Sequence, residues 1–202
     1  MILTGNDQIN TKLYWDHIYT TPAKELGYWI DSRRYSKAIE YVKDGDKFID
    51  LGCGVGIPGR MVKQFRKDCE VWGVDISEEV IENNKKNDPG TTYHHGYIGN
   101  LDFLPENYFD VVFCGEVIEH LDDPTALFKD AYRILKKGGK LVVTTPESDH
   151  IVSPEHYWYF TRDDVKKFFT DVGFKKLEFV DLDDLEYLLV IFGIGMKGGG
   201  VQ

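Results

Sequence analysis

A glycine-rich stretch at residues 50–59, DLGCGVGIPG, places the strongest constraint on how this chain can fold. It follows a β-rich run at residues 47–51, and helical spacing of apolar side chains comes after it, at Ile57, Met61, Val62 and Phe65. A strand, a glycine turn and a helix in this order are typical of a parallel α/β sheet. In such sheets a ligand binds beyond the carboxyl end of the strand, where glycine lets the backbone approach it closely.

The rest of the chain alternates β-rich runs with amphipathic stretches, which predicts a doubly wound α/β sheet with helices on both faces. The first five strands are predicted at residues 47–51, 71–75, 91–95, 109–114 and 140–145. The helix after the fourth strand should end at residues 136–139, and its core face should comprise Leu127, Phe128, Ala131 and Leu135. Runs at residues 174–180 and 187–192 have no helix between them, so we expect them to pair as an antiparallel hairpin.

Length and charge narrow the class of protein. The 202 residues, 42% of them hydrophobic, fit a single domain, with a helical cap at residues 1–45, a sheet core at residues 46–195 and a flexible tail at residues 196–202. The formal net charge of -10 repels phosphate backbones, which disfavours nucleic acid as a partner. We see neither a membrane span nor a signal peptide and expect a cytoplasmic protein. The three cysteines have no metal or disulfide spacing.

Two acids indicate which ligand the glycine turn holds. A carboxylate at Asp50 would repel a pyrophosphate but would stabilise an ammonium or sulfonium group. Asp75 ends the second predicted strand, at the distance from the loop where an acid binds a ribose diol. A positively charged adenosine cofactor fits both acids. A literal G-x-G-x-x-G also occurs at Gly54, Gly56 and Gly59, so a nicotinamide oxidoreductase remains an alternative.

Five ordered motifs carry a family resemblance over most of the chain, at residues 50–56, 74–77, 109–112, 116–120 and 135–139. They resemble the motifs of class I S-adenosylmethionine-dependent methyltransferases, most closely the group that contains the ubiquinone-biosynthesis O-methyltransferases. The resemblance implies the strand order 3-2-1-4-5-7-6, with strand seven antiparallel. It also implies S-adenosylmethionine as the cofactor and a role for each of the residues named next.

In such a fold the cofactor contacts the glycine turn and the ends of the central strands. The resemblance places Gly52, Gly54 and Gly56 beside its methionine part, Asp75 on both ribose hydroxyls, and Cys114 and Gly115 along one side. An arginine of the N-terminal region, Arg33 or Arg34, should bind its carboxylate, and Arg33 is the residue we assign. The full predicted set is Arg33, Asp50, Gly52, Cys53, Gly54, Gly56, Asp75, Ile76, Tyr97, Ile98, Cys114 and Gly115.

The segment after the third strand departs from the family pattern. Members of the family often carry an acid there that accepts a hydrogen bond from the adenine amino group, but residues 96–100 read GYIGN. Asn100, Asp102 or the backbone near Ile98 could replace the acid. Tyr97 could stack on the adenine ring.

The sequence EVIEH at residues 116–120 supplies candidates for the chemistry. If this segment is helical, its acids and its histidine share one face. In one interpretation His120 is a general base oriented by Glu119. In the other, a divalent ion such as magnesium, manganese or zinc is bound, as in the metal sites of small-RNA 3'-terminal 2'-O-methyltransferases that the pattern resembles. The predicted ligands are Glu116, Glu119, His120 and His156.

The predicted function is methyl transfer to an oxygen of a small molecule, such as a sugar, a phenol or a pathway intermediate. A metal-dependent RNA 3'-terminal 2'-O-methyltransferase and a non-catalytic S-adenosylmethionine-binding module are the alternatives, and the oligomeric state is left undetermined. Two aromatic segments could surround the acceptor. A lid is predicted from Tyr14, Trp15, His17 and Tyr19, and a pocket wall from Tyr157, Trp158, Tyr159 and Phe160.

Overall fold

The computed structural model describes residues 10–20, 32–147, 155–185 and 188–198. Its centre is a seven-stranded sheet with the order β3-β2-β1-β4-β5-β7-β6, as the family resemblance implies. The strands are β1 Lys47–Leu51, β2 Glu70–Asp75, β3 Thr92–His95, β4 Phe109–Gly115, β5 Leu135–Pro146, β6 Phe174–Leu185 and β7 Leu188–Lys197. The first five strands pair in parallel, and β7 runs antiparallel to both β5 and β6. The predicted fold class and the antiparallel hairpin are confirmed.

Helices connect the strands, and three of them begin at residues whose side chains accept from their first backbone N–H groups. The helices are α1 Lys12–Thr20, α2 Ser32–Ile39, α3 Ile57–Phe65, α4 Glu78–Asn87, α5 Pro124–Ile134 and α6 Arg162–Val172, with a 3-10 turn at Ile118–His120. The side chains of Ser77, Asp123 and Thr161 accept hydrogen bonds at the starts of α4, α5 and α6. None of the helices in the described ranges is both long and apolar enough to cross a membrane.

The core consists of two main layers of apolar side chains, one on each face of the sheet. Successive residues of β4 alternate between the layers, because side chains along a strand point to opposite faces. Val111 and Phe113 pack with α2 and α3, whereas Val112 and Cys114 pack with α5 and α6. The sheet is therefore covered on both sides, and the open ends of its strands are left for a ligand.

Three predicted boundaries are wrong. The helix after β4 ends at Ile134, and Leu135 begins β5 by pairing with Phe109, so the segment 136–139 is strand. The backbone turns extended at Leu135 (φ -68°, ψ 139°), which stops the helix one residue earlier than its apolar spacing suggests. In the predicted tail, Met196 and Lys197 pair within the sheet. β7 also extends well past residue 192, and Tyr187 lies outside the described residues.

Candidate functional site

A cavity of about 700 Å³ opens at the carboxyl ends of β1, β2 and β4. Its walls also include residues of α1 and α2, so the N-terminal part of the chain covers a site built by the sheet. A volume of this size is usual for sites that bind small molecules and cofactors. Of the residues predicted to bind the cofactor, eight line it: Gly52, Cys53, Gly54, Asp75, Ile76, Tyr97, Ile98 and Gly115.

The glycines of the loop after β1 have backbone conformations and close neighbours that exclude a side chain. Gly52 has φ 81°, and a Cβ atom there would lie 2.3 Å from Cγ2 of Val117. Gly54 has φ 47°, and a Cβ atom there would lie 2.9 Å from the hydroxyl oxygen of Tyr19. The positive φ favours glycine at both positions, and at Gly52 the Val117 side chain also leaves no space. The two glycines bring bare backbone to the wall of the cavity, as a bound cofactor would need.

Asp75 ends β2 with its carboxylate held at the cavity. Oδ2 accepts from the N–H of Gly54 over 2.8 Å, and Oδ1 accepts from the N–H of Ser77 over 2.9 Å. Burial raises the pKa of Asp75 from its ordinary value of 3.8 to about 6, although these backbone donors act in the opposite direction. The N–H of Ile76 also hydrogen-bonds the carboxylate, which offers about four lone-pair sites, so some acceptor capacity remains for a diol.

Asp50 lies beneath the glycine loop and is 2% exposed. Its Oδ1 has no hydrogen-bond partner among the described residues. Burial raises the pKa of Asp50 well above its ordinary value, and the negative charge of Asp75 acts in the same direction. Two buried carboxyl groups at one site would both be stabilised by a cationic ligand. The residue does not itself line the cavity, so it would act on such a ligand through its charge.

Three more predicted cofactor residues lie outside the cavity lining. Gly56 caps the start of α3, and Cys114 is buried in the core. Arg33 is exposed and does not line the cavity, so its assignment finds no support in the lining. Arg34, the neighbouring candidate, is buried and lines the cavity, with Nη1 4.0 Å from a carboxylate oxygen of Glu116. On α2 only one of two consecutive arginines can face the sheet, because adjacent helical residues point in different directions.

The wall beyond β3 contains few polar side chains. Gly96, Tyr97 and Ile98 line the cavity, whereas Asn100 and Asp102 are exposed and do not. The predicted backbone contact near Ile98 is therefore better placed than either side chain. Tyr97 is 48% exposed at the rim.

A second group of polar residues lies on the β4 side of the cavity. Glu119, His120 and His156 are buried, and one ligand atom from each lies within 4.8 Å of the other two. His120 lines the cavity itself. The fourth predicted ligand, Glu116, is not in this group. It has φ 56°, a left-handed conformation that ends β4, and only the 3-10 turn at Ile118–His120 follows, so the predicted helical face does not form.

The hydrogen bonds of the group assign the proton of His120. Its Nδ1 lies 2.9 Å from the carbonyl oxygen of Glu155. A carbonyl can only accept, so Nδ1 carries the proton and Nε2 is the acceptor of the neutral ring. Nε2 faces Oε1 of Glu119 at 3.9 Å, too far for a direct hydrogen bond. That oxygen is buried without a hydrogen-bond partner in the described ranges, whereas Oε2 accepts from Thr145 over 2.9 Å.

Burial changes the ionisation of all three groups. It raises the pKa of Glu119 well above its ordinary range, and the nearby charge of Glu116 adds to this effect. It lowers the pKa of His120 to about 4 and also lowers that of His156. The imidazoles are therefore neutral and able to bind a cation or a proton. The positive charge of Arg34 and the hydrogen bond from Thr145 favour the ionised form of Glu119, but burial outweighs them.

The predicted lid is represented by α1. Trp15 and Tyr19 line the cavity, and the ring of Trp15 meets that of His120 edge-on at 5.0 Å, whereas Tyr14 and His17 are not in the lining. Asp16 was not anticipated from the sequence. It accepts from the hydroxyl of Ser77 over 2.5 Å at the start of α4. This bond ties α1 to the element that follows Asp75.

The predicted aromatic wall divides between the cavity and the core. Of its four members only Tyr157 lines the cavity. Trp158 donates from Nε1 to the carbonyl oxygen of Leu121, and Phe160 belongs to the core. Asn10, which sequence reasoning missed, lines the cavity and donates to the same Glu155 carbonyl that holds His120. A contact across 145 positions leaves no local sequence signal.

The sequence matches known methyltransferases. Residues 49–143 match a family model described as a methyltransferase domain. The ubiquinone biosynthesis O-methyltransferase of Xanthomonas oryzae pv. oryzae is 30% identical over 105 residues, which cover 50% of this chain and 43% of that protein. The chain spans less than half the length of the first curated relatives that it matches, at 39% and 47% for two of them.

Solved structures agree in fold. A Haloferax volcanii putative methyltransferase, in complex with the Trm112 methyltransferase activator, has a TM-score of 0.74 at 18% identity and covers 92% of this chain and 98% of its own. Phosphoethanolamine N-methyltransferase 2 of Haemonchus contortus, in complex with S-adenosyl-L-methionine, has a TM-score of 0.69 at 20% identity. The match covers 86% of this chain and 53% of that protein. The family match over residues 49–143, the sheet order and the glycine loop together support a class I S-adenosylmethionine-dependent methyltransferase.

Proposed function

We propose that the protein transfers a methyl group from S-adenosylmethionine to an oxygen of a small molecule. The observation that carries this proposal is the position of His120, whose neutral imidazole lies on the wall of the same cavity as the glycine loop and Asp75. One side of the cavity would hold the cofactor, and the opposite side would present a nitrogen lone pair to an acceptor. An oxygen acceptor needs such a group, because its proton must leave as the methyl group arrives.

The residues of the cofactor side suit S-adenosylmethionine. Asp75 accepts from the ribose hydroxyls, and the glycine loop admits the methionine part close to the backbone. Arg34 would bind the cofactor carboxylate, while Asp50 and Glu116 favour its positive charges. Carboxylates in this arrangement oppose a dinucleotide pyrophosphate, so the nicotinamide alternative finds little support.

The reaction itself requires mainly alignment. S-adenosylmethionine supplies the methyl group, which leaves its sulfur as the bond to the acceptor oxygen forms. The protein must hold acceptor and cofactor in line and keep water out, and α1 covers the cavity with Trp15 and Tyr19. His120 Nε2 takes up the acceptor proton if the imidazole is not otherwise engaged. The Glu155 carbonyl keeps the ring in the required tautomer.

We further propose that Glu119, His120 and His156 hold a divalent cation. The residues fit this role, because a buried carboxylate oxygen without a hydrogen-bond partner among the described residues faces a neutral imidazole nitrogen. Mixed oxygen and nitrogen ligands suit magnesium, manganese or zinc. The cation would supply Lewis acidity that lowers the pKa of an acceptor hydroxyl. The carbonyl behind His120 is the kind of outer partner that orients a metal-binding histidine.

The metal proposal is tested by ion content. We expect purified protein, dialysed against each ion and then against buffer, to retain about one equivalent by mass spectrometry of the intact protein. His156→Ala should retain none, and His94→Gln, which changes a histidine away from the cavity, should retain it. Equal ion content in His156→Ala and the unchanged protein would overturn the assignment. Formation of S-adenosylhomocysteine with and without a chelator then separates ligation of His120 Nε2 from general-base use.

The acceptor class is tested by turnover. We expect formation of S-adenosylhomocysteine with catechols or other hydroxylated small molecules and none with short RNA that ends in a 2'-hydroxyl. The residues of the proposed metal site would also suit an RNA methyltransferase. However, the net charge of -10 would repel the phosphates of an RNA substrate. Turnover on RNA would replace the small-molecule acceptor. Methylation of amines alone would refute O-methylation, and tight cofactor binding without turnover on any acceptor would favour a non-catalytic module.

A further inference from the structure

Asn84 lies on the buried face of α4, where it packs against the glycine loop. Its side chain is 2% exposed, and the helix buries Val80 and Ile81 beside it. A polar amide among apolar side chains is destabilising unless it is hydrogen-bonded. Asn84 satisfies this condition by donating from Nδ2 to the carbonyl oxygen of Gly54 over 2.7 Å.

The backbone of Gly54 is therefore held from two sides. Its N–H donates to Oδ2 of Asp75, and its carbonyl accepts from Asn84. Glycine has no Cβ to limit its backbone rotation, and Gly54 has φ 47°. The two hydrogen bonds provide the restriction that a side chain would otherwise provide. One of them comes from the acid that binds ribose, and the other from a residue outside the cavity lining.

We propose that Asn84 is a positioning residue for S-adenosylmethionine. Its amide draws the Gly54 carbonyl toward α4, and in a trans peptide the following N–H, that of Val55, then points away from α4. The same contact keeps the Gly54 N–H on Asp75, so the loop and the acid are arranged before the cofactor arrives. Asn84 acts through Gly54 and does not touch the reacting atoms. The inference rests on the proposed cofactor site.

Removal of the amide should weaken cofactor binding without abolishing it. A buried carbonyl that loses its partner is penalised by an amount equivalent to roughly 5- to 150-fold in an equilibrium constant. The peptide would then rotate among other orientations, and the apparent affinity falls by the fraction of molecules that remain competent to bind. For Asn84→Leu, which keeps the number and branching of the side-chain heavy atoms but not the donor, we expect about tenfold weaker binding of S-adenosylmethionine.

Ile81→Ala is the matched control, because it removes buried volume from the same face of α4 but no hydrogen bond to the glycine loop. By calorimetric titration with S-adenosylmethionine, we expect it to bind as the unchanged protein does, even though it unfolds at lower denaturant concentration. Asn84→Ser, one bond shorter than asparagine, provides a second variant if Asn84→Leu does not fold. Unchanged affinity for S-adenosylmethionine in the Asn84 variants would overturn the proposal. So would a loss of affinity in Ile81→Ala that matches its loss of stability, because the effect would then be general destabilisation.

The amide proton of Gly54 gives a readout that needs no cofactor. Because it donates to a carboxylate, its NMR resonance should lie downfield in the unliganded protein. It should move upfield or split in Asn84→Leu and stay in place in Ile81→Ala. An unmoved resonance in Asn84→Leu would refute the positioning role. If the unchanged protein binds no S-adenosylmethionine, the proposed function fails, but this resonance still decides whether Asn84 orders the loop.

Discussion

Protonation of Asp75 should control the affinity for S-adenosylmethionine between pH 5 and pH 7. Burial at the end of β2 raises the pKa of this carboxyl from 3.8 to about 6. The ionised form can accept hydrogen bonds from both ribose hydroxyls, whereas the protonated form has lost one acceptor and gained a donor. We therefore expect affinity to rise with pH as Asp75 loses its proton.

The expected size of the effect follows from the ionised fraction. With a pKa of about 6, roughly a tenth of the molecules are ionised at pH 5 and roughly nine tenths at pH 7. If only ionised Asp75 binds the diol well, affinity should be about tenfold weaker at pH 5 than at pH 7.

The stability of the protein without cofactor should have the opposite pH dependence. A carboxyl whose pKa is higher in the folded state than in the unfolded state binds its proton more tightly when folded. The stabilisation by protonated Asp75 is thus fully present below about pH 3.8 and is lost as the pH rises through about 6. Cofactor binding and intrinsic stability should therefore move in opposite directions over this range.

Calorimetric titration from pH 5 to pH 8, with Asp75→Asn as the control, tests this reasoning. The variant keeps the side-chain volume but cannot ionise, so its affinity should be weaker at pH 7 by roughly 10- to 100-fold, as for a hydrogen bond to a charged group. Any slope that remains in the variant would come from other buried carboxyl groups, such as Asp50 and Glu119, whose pKa values burial also raises. An affinity that is constant from pH 5 to pH 7 would refute the reasoning, as would a variant that binds like the unchanged protein.

Three substitutions test other parts of the structure. Gly52→Ala should abolish S-adenosylmethionine binding, measured by calorimetry, and destabilise the fold by about 1–3 kcal/mol, because φ is 81° and Val117 leaves no space; full binding would contradict this. Thr161→Ala should lower the free energy of unfolding by about 1 kcal/mol through loss of the α6 capping box, while Thr170→Ala in the same helix should have little effect. Asp16→Ala removes the hydrogen bond that ties α1 to Ser77, so it should raise the cofactor dissociation rate roughly tenfold in stopped-flow measurements. An unchanged rate would show that α1 does not cover the bound cofactor.

The sheet could be predicted because its signals are local and repeated. Each central strand reads as an apolar β-rich run, and a strand buried on both faces needs nothing more. The glycine loop and Asp75 could be placed for the same reason, since each directly follows such a run. The order of the strands came from the family resemblance, which carries information that periodicity does not.

The boundary at Leu135 shows where local signals compete. Its spacing from Leu127 and Ala131 suits a helix, yet pairing with Phe109 in β4 takes the residue into the sheet. Strand pairing depends on a segment distant in sequence, so apolar spacing alone cannot reveal it. Asn84 was missed for a related reason. One of three asparagines in a polar helix reads as a surface residue until the loop that it contacts is in place.

The residues of EVIEH divide between two groups of side chains, although they are contiguous in sequence. Had they formed one helical turn, Glu116 would have joined Glu119 and His120 on one face. The left-handed backbone at Glu116 (φ 56°) prevents this and directs its carboxylate toward Arg34 on the cofactor side. The 3-10 turn that follows places Glu119 and His120 beside His156. Positive φ is uncommon for residues other than glycine, and residue type alone gives no indication of it here. The division of the motif between Arg34 and His156 is therefore a property of the backbone that the sequence pattern could not predict.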